Sequence, residues 1–133
     1  MTTIYDLKNG TAEWCRYINS TIAEECPNYF FEAHIVGSNE WWELYESNQV
    51  HKEIQSGEVV FFGERCDWSG HLSNVVEINF NGGLIEYEVC NDWNTSYLAV
   101  GRILEVEEFS ISFKGRSGPY LFKFIKKVAI KNT

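Results

Sequence analysis

Asn81-Gly82-Gly83, set between the apolar-rich runs Val75–Phe80 and Leu84–Cys90, is the feature that most restricts what this chain can become. Asn-Gly supplies the two positive φ angles of a type I′ turn, whose twist matches that of the strands it joins. A β-hairpin therefore belongs here. With Asn81 and Gly82 at the turn, Val76 faces Tyr87 and Ile78 faces Ile85, so the apolar side chains coincide on one face. The same register sets Glu77 against Glu86 on the other face, with Glu88 two residues further along; with Gly82 and Gly83 at the turn, Glu77 faces Glu88 instead. Like charges directly opposite on a sheet cost roughly 0.2 to 1 kcal/mol, so an acidic face retained at such a cost is a candidate binding surface. The structural alternative is a solvated face whose carboxylates are relieved by Lys123, Lys126 or Arg102 on neighbouring strands.

The segments around this hairpin read as further strands. From Glu58 onward the chain breaks into short runs punctuated by turns: Val59 to Phe62, the two hairpin strands, Tyr97 to Val106, Phe109 to Phe113, and Tyr120 to Ile130. Such spacing indicates an antiparallel meander. A second hairpin is expected where Gly115 to Gly118 separates Phe109, Ile111 and Phe113 from Tyr120, Phe122 and Phe124, each set alternating with period two. Pro119 suits the start of the last strand, where a missing N–H is tolerated.

Upstream the period changes. Trp14, Cys15, Ile18, Ile22 and Ala23 recur at helical spacing behind a capping Thr11 and stop before Pro27, which predicts a helix over about 11–25. Tyr29 to Val36 reads as a short strand. Trp41, Trp42, Leu44, Tyr45, Val50 and Ile54 partly follow a helical stripe, behind a cap at Ser38 or Asn39 and ahead of Gly57. The expected fold class is α+β: one or two N-terminal helices packed on a twisted, mostly antiparallel sheet of about five to seven strands, a half-barrel being one form open to such a sheet. The expected organisation is a single domain over 1–133, helical over about 11–55 and sheet over about 58–130.

At 133 residues the chain suffices for one domain, and 44% hydrophobic content rules out intrinsic disorder. No apolar run reaches the roughly 18 to 20 residues a membrane-spanning helix needs, and no secretory leader pattern opens the chain, so the expectation is a soluble, cytoplasmic protein. Four widely spaced cysteines (Cys15, Cys26, Cys66, Cys90) suit a reducing compartment. Charge is divided along the length: residues 1–113 hold five Lys and Arg against all 19 Asp and Glu, a balance of −14, whereas the last 20 residues carry +6. Such a field draws cations and opposes phosphate, so direct nucleic-acid binding by the C-terminal Tyr120, Phe122 and Phe124 is not expected.

No motif carries chemistry. Cys66, Asp67 and His71 lack the paired spacing of a zinc site, and neither a metal nor a cofactor is expected. Cys66 or Cys90 with His71 or His34 has no local signature of a nucleophile and its base, and Glu24-Glu25 and Glu105, Glu107 and Glu108 define no acid–base pair from sequence alone, so an enzyme is not expected. Asp67-Trp68 and Asp92-Trp93, by contrast, each put an apolar anchor beside a charge, a combination enriched at interface hot spots. The candidate partner-binding residues are therefore Asp67, Trp68, Glu77, Glu86, Glu88, Asp92 and Trp93. They point to an acidic inhibitor of a basic protein, such as a toxin nuclease domain, in the manner of an immunity protein, an antitoxin or a phage-encoded inhibitor of host defence. The alternative is a small-ligand-binding domain with an aromatic-lined pocket among Trp41, Trp42, Phe61, Phe62 and Tyr87.

Overall fold

The computed structural model describes residues 2–10, 12–25, 35–115 and 118–131, with 12, 25, 112–115 and 118–122 as backbone alone. Among these residues two helices, α1 (Ala12–Glu25) and α2 (Asn39–Glu46), accompany six strands: β1 (Thr2–Asp6), β2 (His51–Cys66), β3 (Leu72–Phe80), β4 (Gly83–Glu88), β5 (Ile103–Gly115) and β6 (Gly118–Ile130). The strands form one antiparallel sheet in the order β1-β6-β5-β2-β3-β4, with the helices packed on it. Because β1 and β4 stand at opposite ends of that order, the sheet is open and does not close into a barrel. The α+β class expected from the sequence is the one observed.

The chain gathers into two compact units, one of Met1–Asp6, Ile54–Val106 and Lys127–Thr133, the other of Leu7–Glu53 and Glu107–Lys126. In the first, Val59, Val76, Ile78 and Leu104 are fully buried, and Tyr5 stacks on Trp93 with ring centroids 5.5 Å apart. The β3–β4 hairpin has the register read from the sequence: Val76 opposite Tyr87, Glu77 opposite Glu86, Ile78 opposite Ile85. Its turn residues Asn81 (φ 54°) and Gly82 (φ 94°) both take the left-handed values a type I′ turn requires. A bulge between Val59 and Phe61 interrupts the β2–β3 ladder, and at that point Val59 N donates to Arg102 O and Gly101 N to Val59 O, both at 2.9 Å.

In the second unit Ile18 and Ile22, one helical turn apart, are the fully buried stripe of α1. Asn19 on the same helix clamps the chain ahead of α2: its side-chain amide donates to Val36 O (2.9 Å) and its carbonyl accepts from Val36 N (3.0 Å). Ser38 then caps α2, its hydroxyl oxygen accepting from Trp41 N. Trp41 and Tyr45 of α2 pack edge-on against Phe109, with centroids 5.1 and 5.9 Å away.

Several elements differ from the sequence expectation. The second helix ends at Glu46, well before Gly57, because Asn48 adopts φ 63° and closes a C-terminal motif in which its N–H donates to Tyr45 O and that of Gln49 to Leu44 O. Val50 and Ile54 belong to the approach and start of β2, which begins at His51. Gly57 lies inside β2, where a Cβ would stand 2.6 Å from the Asn79 carbonyl oxygen and 2.6 Å from Ile78 Cγ2; the glycine permits close approach and ends nothing. The separate strands expected over Tyr97–Val106 and Phe109–Phe113 are replaced by one continuous β5, with Tyr97 in a single 3-10 turn before it. β1 has no counterpart in the sequence reading. The cap at Thr11 and most of the strand expected over Tyr29–Val36 lie outside the described residues, and Ile35 and Val36 are not in a strand.

Gly57 supplies a direct check on the close packing of β2 against β3. Gly57→Ala is expected to destabilise the fold by ~1–3 kcal/mol through overpacking, measured by urea denaturation.

Candidate functional site

The acidic face is built by the hairpin and completed by β2. Glu77 and Glu86 are opposed because the turn dictates it, and Arg65, on the strand beside β3, reaches across to both: its Nη1 lies 3.2 Å from Glu77 Oε2 and 2.6 Å from Glu86 Oε2. The guanidinium lies over the Phe61 ring, 4.0 Å from its centroid, so one side chain covers apolar surface while bridging two carboxylates. Those hydrogen bonds raise the Arg65 pKa further above its already high ordinary value, and it stays charged at any physiological pH. The relief of like charge considered from the sequence is thus supplied by Arg65, which the sequence reading did not name. Glu88 stands at the far end of β4, exposed and opposite Val75.

At that same end of the sheet, Asp67 to His71 joins β2 to β3. Asp67 organises the turn through one carboxylate oxygen that accepts from Ser69 N (2.9 Å), the Ser69 hydroxyl (2.7 Å) and His71 N (2.9 Å). Backbone bonds from Asp67 N to His71 O and from Gly70 N to Asp67 O close it, with Gly70 at φ 87°. The Ser69 hydroxyl foremost, then the His71 N–H, holds the Asp67 carboxyl below the usual carboxylate range, so the turn keeps its charged organiser. Trp68 is carried on this stiff turn at 99% exposure.

The second Asp-Trp pair is used differently. Trp93 is only 7% exposed and stacked on Tyr5, and Asn94 N donates to Ile4 O at 2.8 Å, so this loop is part of the core of its unit and Trp93 is no surface anchor. Asp92 is half-buried beside it. Of the seven candidates, Asp67, Trp68, Glu77, Glu86 and Glu88 share the β2–β3–β4 side of the sheet, joined there by Arg65 and by the exposed Leu72 and Leu84, which the sequence reading did not single out. The unit that contains them holds four Lys and Arg against nine Asp and Glu, a balance of −5.

The aromatic residues proposed to line one pocket are divided between the two units, Trp41 and Trp42 in one and Phe61, Phe62 and Tyr87 in the other. Trp41 and Trp42 are buried with Tyr45, while Phe61 lies under Arg65 and Phe62 and Tyr87 flank Val76 in the ladders. The second unit instead has a cleft of about 410 Å³ between α1 and the segments leading into α1 and α2. Leu7, Val36 and Trp42 supply apolar wall, and Lys8 and Arg16 supply charge. Lys8 is held by Glu46 at 2.5 Å; among the described residues no carboxylate pairs with Arg16. Cys15 also lines the cleft, and burial pushes its thiol up, as it does that of Cys90, so neither is a ready thiolate.

Among the described residues no three of His, Cys, Asp and Glu come together as metal ligands, and no helix is long and apolar enough to cross a membrane. No known family model matches the chain, and no curated protein shows significant similarity to it.

The charge cluster yields a coupling test. Arg65→Ala is expected to lower Tm by leaving Glu77 and Glu86 opposed and Phe61 uncovered, and adding Glu86→Gln should recover part of the loss. In the wild-type background Glu86→Gln should recover nothing; the same change in both backgrounds would mean that the pair is uncoupled.

Proposed function

We propose that the protein is an acidic inhibitor that docks onto a basic protein and masks the surface with which that protein binds its own substrate. Trp68 carries the reading. A large ring left 99% exposed gains nothing for the fold, yet the turn beneath it is ordered by three hydrogen bonds to one Asp67 oxygen. An aromatic anchor pre-organised in this way loses little entropy when a partner buries it. The flanking carboxylates of Asp67, Glu77, Glu86 and Glu88 add a field that steers a cationic partner into place and pairs with the Lys and Arg it uses to hold an anionic substrate. A toxin nuclease domain is the partner type such a surface suits, which makes an immunity protein or antitoxin acting in the cytoplasm the closest functional class, with a phage-encoded inhibitor of host defence as its counterpart.

The test is affinity capture from cells of the source organism with wild type, Trp68→Ala and a Glu86→Lys/Glu88→Lys variant, followed by an activity assay of the captured protein. Wild type is expected to retain one basic protein and to inhibit it stoichiometrically, with capture lost in both variants and Tm unchanged in Trp68→Ala. Retention of no basic protein, or equal capture by Trp68→Ala, counts against the reading.

The cleft beside Trp42 favours a second reading, a binding site for a small amphipathic anion whose charge meets Arg16 and whose body meets Leu7, Val36 and Trp42. 1-Naphthoate is a suitable probe. A rise in Tm with wild type that Arg16→Ala abolishes would support this reading, since a ligand at a hundredfold excess over its Kd stabilises by about 2.7 kcal/mol; no rise at millimolar naphthoate would oppose it.

A further inference from the structure

The hairpin register also decides what β4 offers to solvent. In a two-residue hairpin the pair flanking the turn, here Phe80 and Gly83, is hydrogen-bonded, and bonded and non-bonded pairs alternate from there. The bond from Val89 N to Asn74 O (2.8 Å) continues that alternation past the end of the strand. Gly83, Ile85 and Tyr87 therefore direct their N–H and C=O groups to β3, whereas Leu84, Glu86 and Glu88 direct theirs out of the sheet. β4 is terminal in the strand order, and among the described residues no backbone hydrogen bond reaches this outer row. The opposite edge is treated otherwise: a bulge between Thr3 and Tyr5 leaves Ile4 out of the ladder, and its carbonyl accepts from Asn94 N.

Side chains along β4 alternate in the same way. Leu84, Glu86 and Glu88 share one face, and Ile85 and Tyr87 the other, with Leu84 59% and Ile85 40% exposed. Among the described residues the ion pairs of Glu77 and Glu86 on the acidic face are with Arg65, so three carboxylates there, with Glu88, meet one cation. We propose that β4 accepts an extended segment of the cationic partner as a seventh strand, with Lys or Arg beside Glu86 and Glu88 and apolar side chains beside Ile85 and Tyr87. This rests on the masking function above and states how the partner is gripped: backbone hydrogen bonds supply affinity, and alternating charge and apolar surface supply register. Charge disfavours a second copy of this chain as the occupant, because antiparallel pairing of two β4 strands with Glu86 opposite Glu86 or Glu88 sets carboxylate against carboxylate.

The test uses the full chain and a capped, fluorescently labelled Lys-Val-Lys-Val-Leu peptide, beside the same peptide N-methylated at its lysine nitrogens. Methylation keeps both charges and every side chain but removes the N–H groups that would bond to the outer row of β4. Anisotropy titrations are expected to show the methylated peptide binding at least about tenfold more weakly, as loss of two hydrogen bonds implies. Leu84→Pro, which deletes an outward N–H and leaves the β3 side of the ladder intact, is expected to weaken the unmethylated peptide similarly at unchanged Tm. Equal affinity of the two peptides, equal affinity of Leu84→Pro and wild type, or no binding of either peptide overturns strand addition. The two failures read out separately: if capture depends on Trp68 while the two peptides bind equally, masking stands and strand addition falls, and if no basic protein is captured, masking falls.

Discussion

The backbone at Asn81 and Gly82 sets the terms for the acidic side of this protein. With both residues at positive φ, the turn between β3 and β4 has two residues and no freedom of register, and because side chains alternate with period two, every position along both strands is then committed to a face. Val76 and Ile78 go to the core. Glu77 and Glu86 are brought face to face as a consequence, and the hairpin cannot separate them without exposing the apolar set. Arg65 resolves the conflict from the adjacent strand, and the Phe61 ring beneath it gives the guanidinium a flat support from which one nitrogen meets both carboxylates. Three strands are thereby tied together by a single side chain.

Charge that is widely separated along the chain is partly recombined by the fold. The basic C-terminal stretch runs as β6, where Lys123 comes within 3.7 Å of Glu53 and Lys127 is paired in register with Asp6. Lys52 and Lys126 sit over the rings of Tyr45 and Trp42, at 4.3 and 5.9 Å from their centroids. Lys8, Lys52, Lys123 and Lys126 of the helix-bearing unit are thus distributed over its aromatic cluster and its carboxylates. Negative charge is left over around the hairpin, where Glu77 and Glu86 share Arg65, on the same side of the sheet as the 99% exposed Trp68, and this coincidence is what gives the surface its proposed role.

Local rules were legible wherever a short stretch of chain satisfies them by itself. The hairpin, its turn type and its facing pairs could be read because turn chemistry and two-residue periodicity act over a dozen residues. The first helix could be read because Ile18 and Ile22 repeat at helical spacing. The end of α2 was misplaced because Asn48 does there what glycine more often does, and an asparagine in a polar stretch does not announce a left-handed cap. Gly57 was read as a terminator since sequence does not reveal that the Asn79 backbone passes within van der Waals reach of it.

What the sequence determined by itself, then, is the class of fold, the hairpin register and the opposition of Glu77 and Glu86, because these follow from backbone conformation and periodicity within one segment. Tertiary structure alone decided which cation answers that opposition. Lys123, Lys126 and Arg102 were as eligible as Arg65 until the order β5-β2-β3-β4 placed β2 beside the hairpin, and strand order depends on contacts between residues far apart in the chain. Tertiary structure likewise separated two identical dipeptides. Asp67-Trp68 stands on a turn at the sheet's end with nothing packed over the ring, whereas Asp92-Trp93 meets Tyr5 from the other end of the chain and is buried, because burial belongs to the surroundings of a residue and not to its immediate neighbours in sequence.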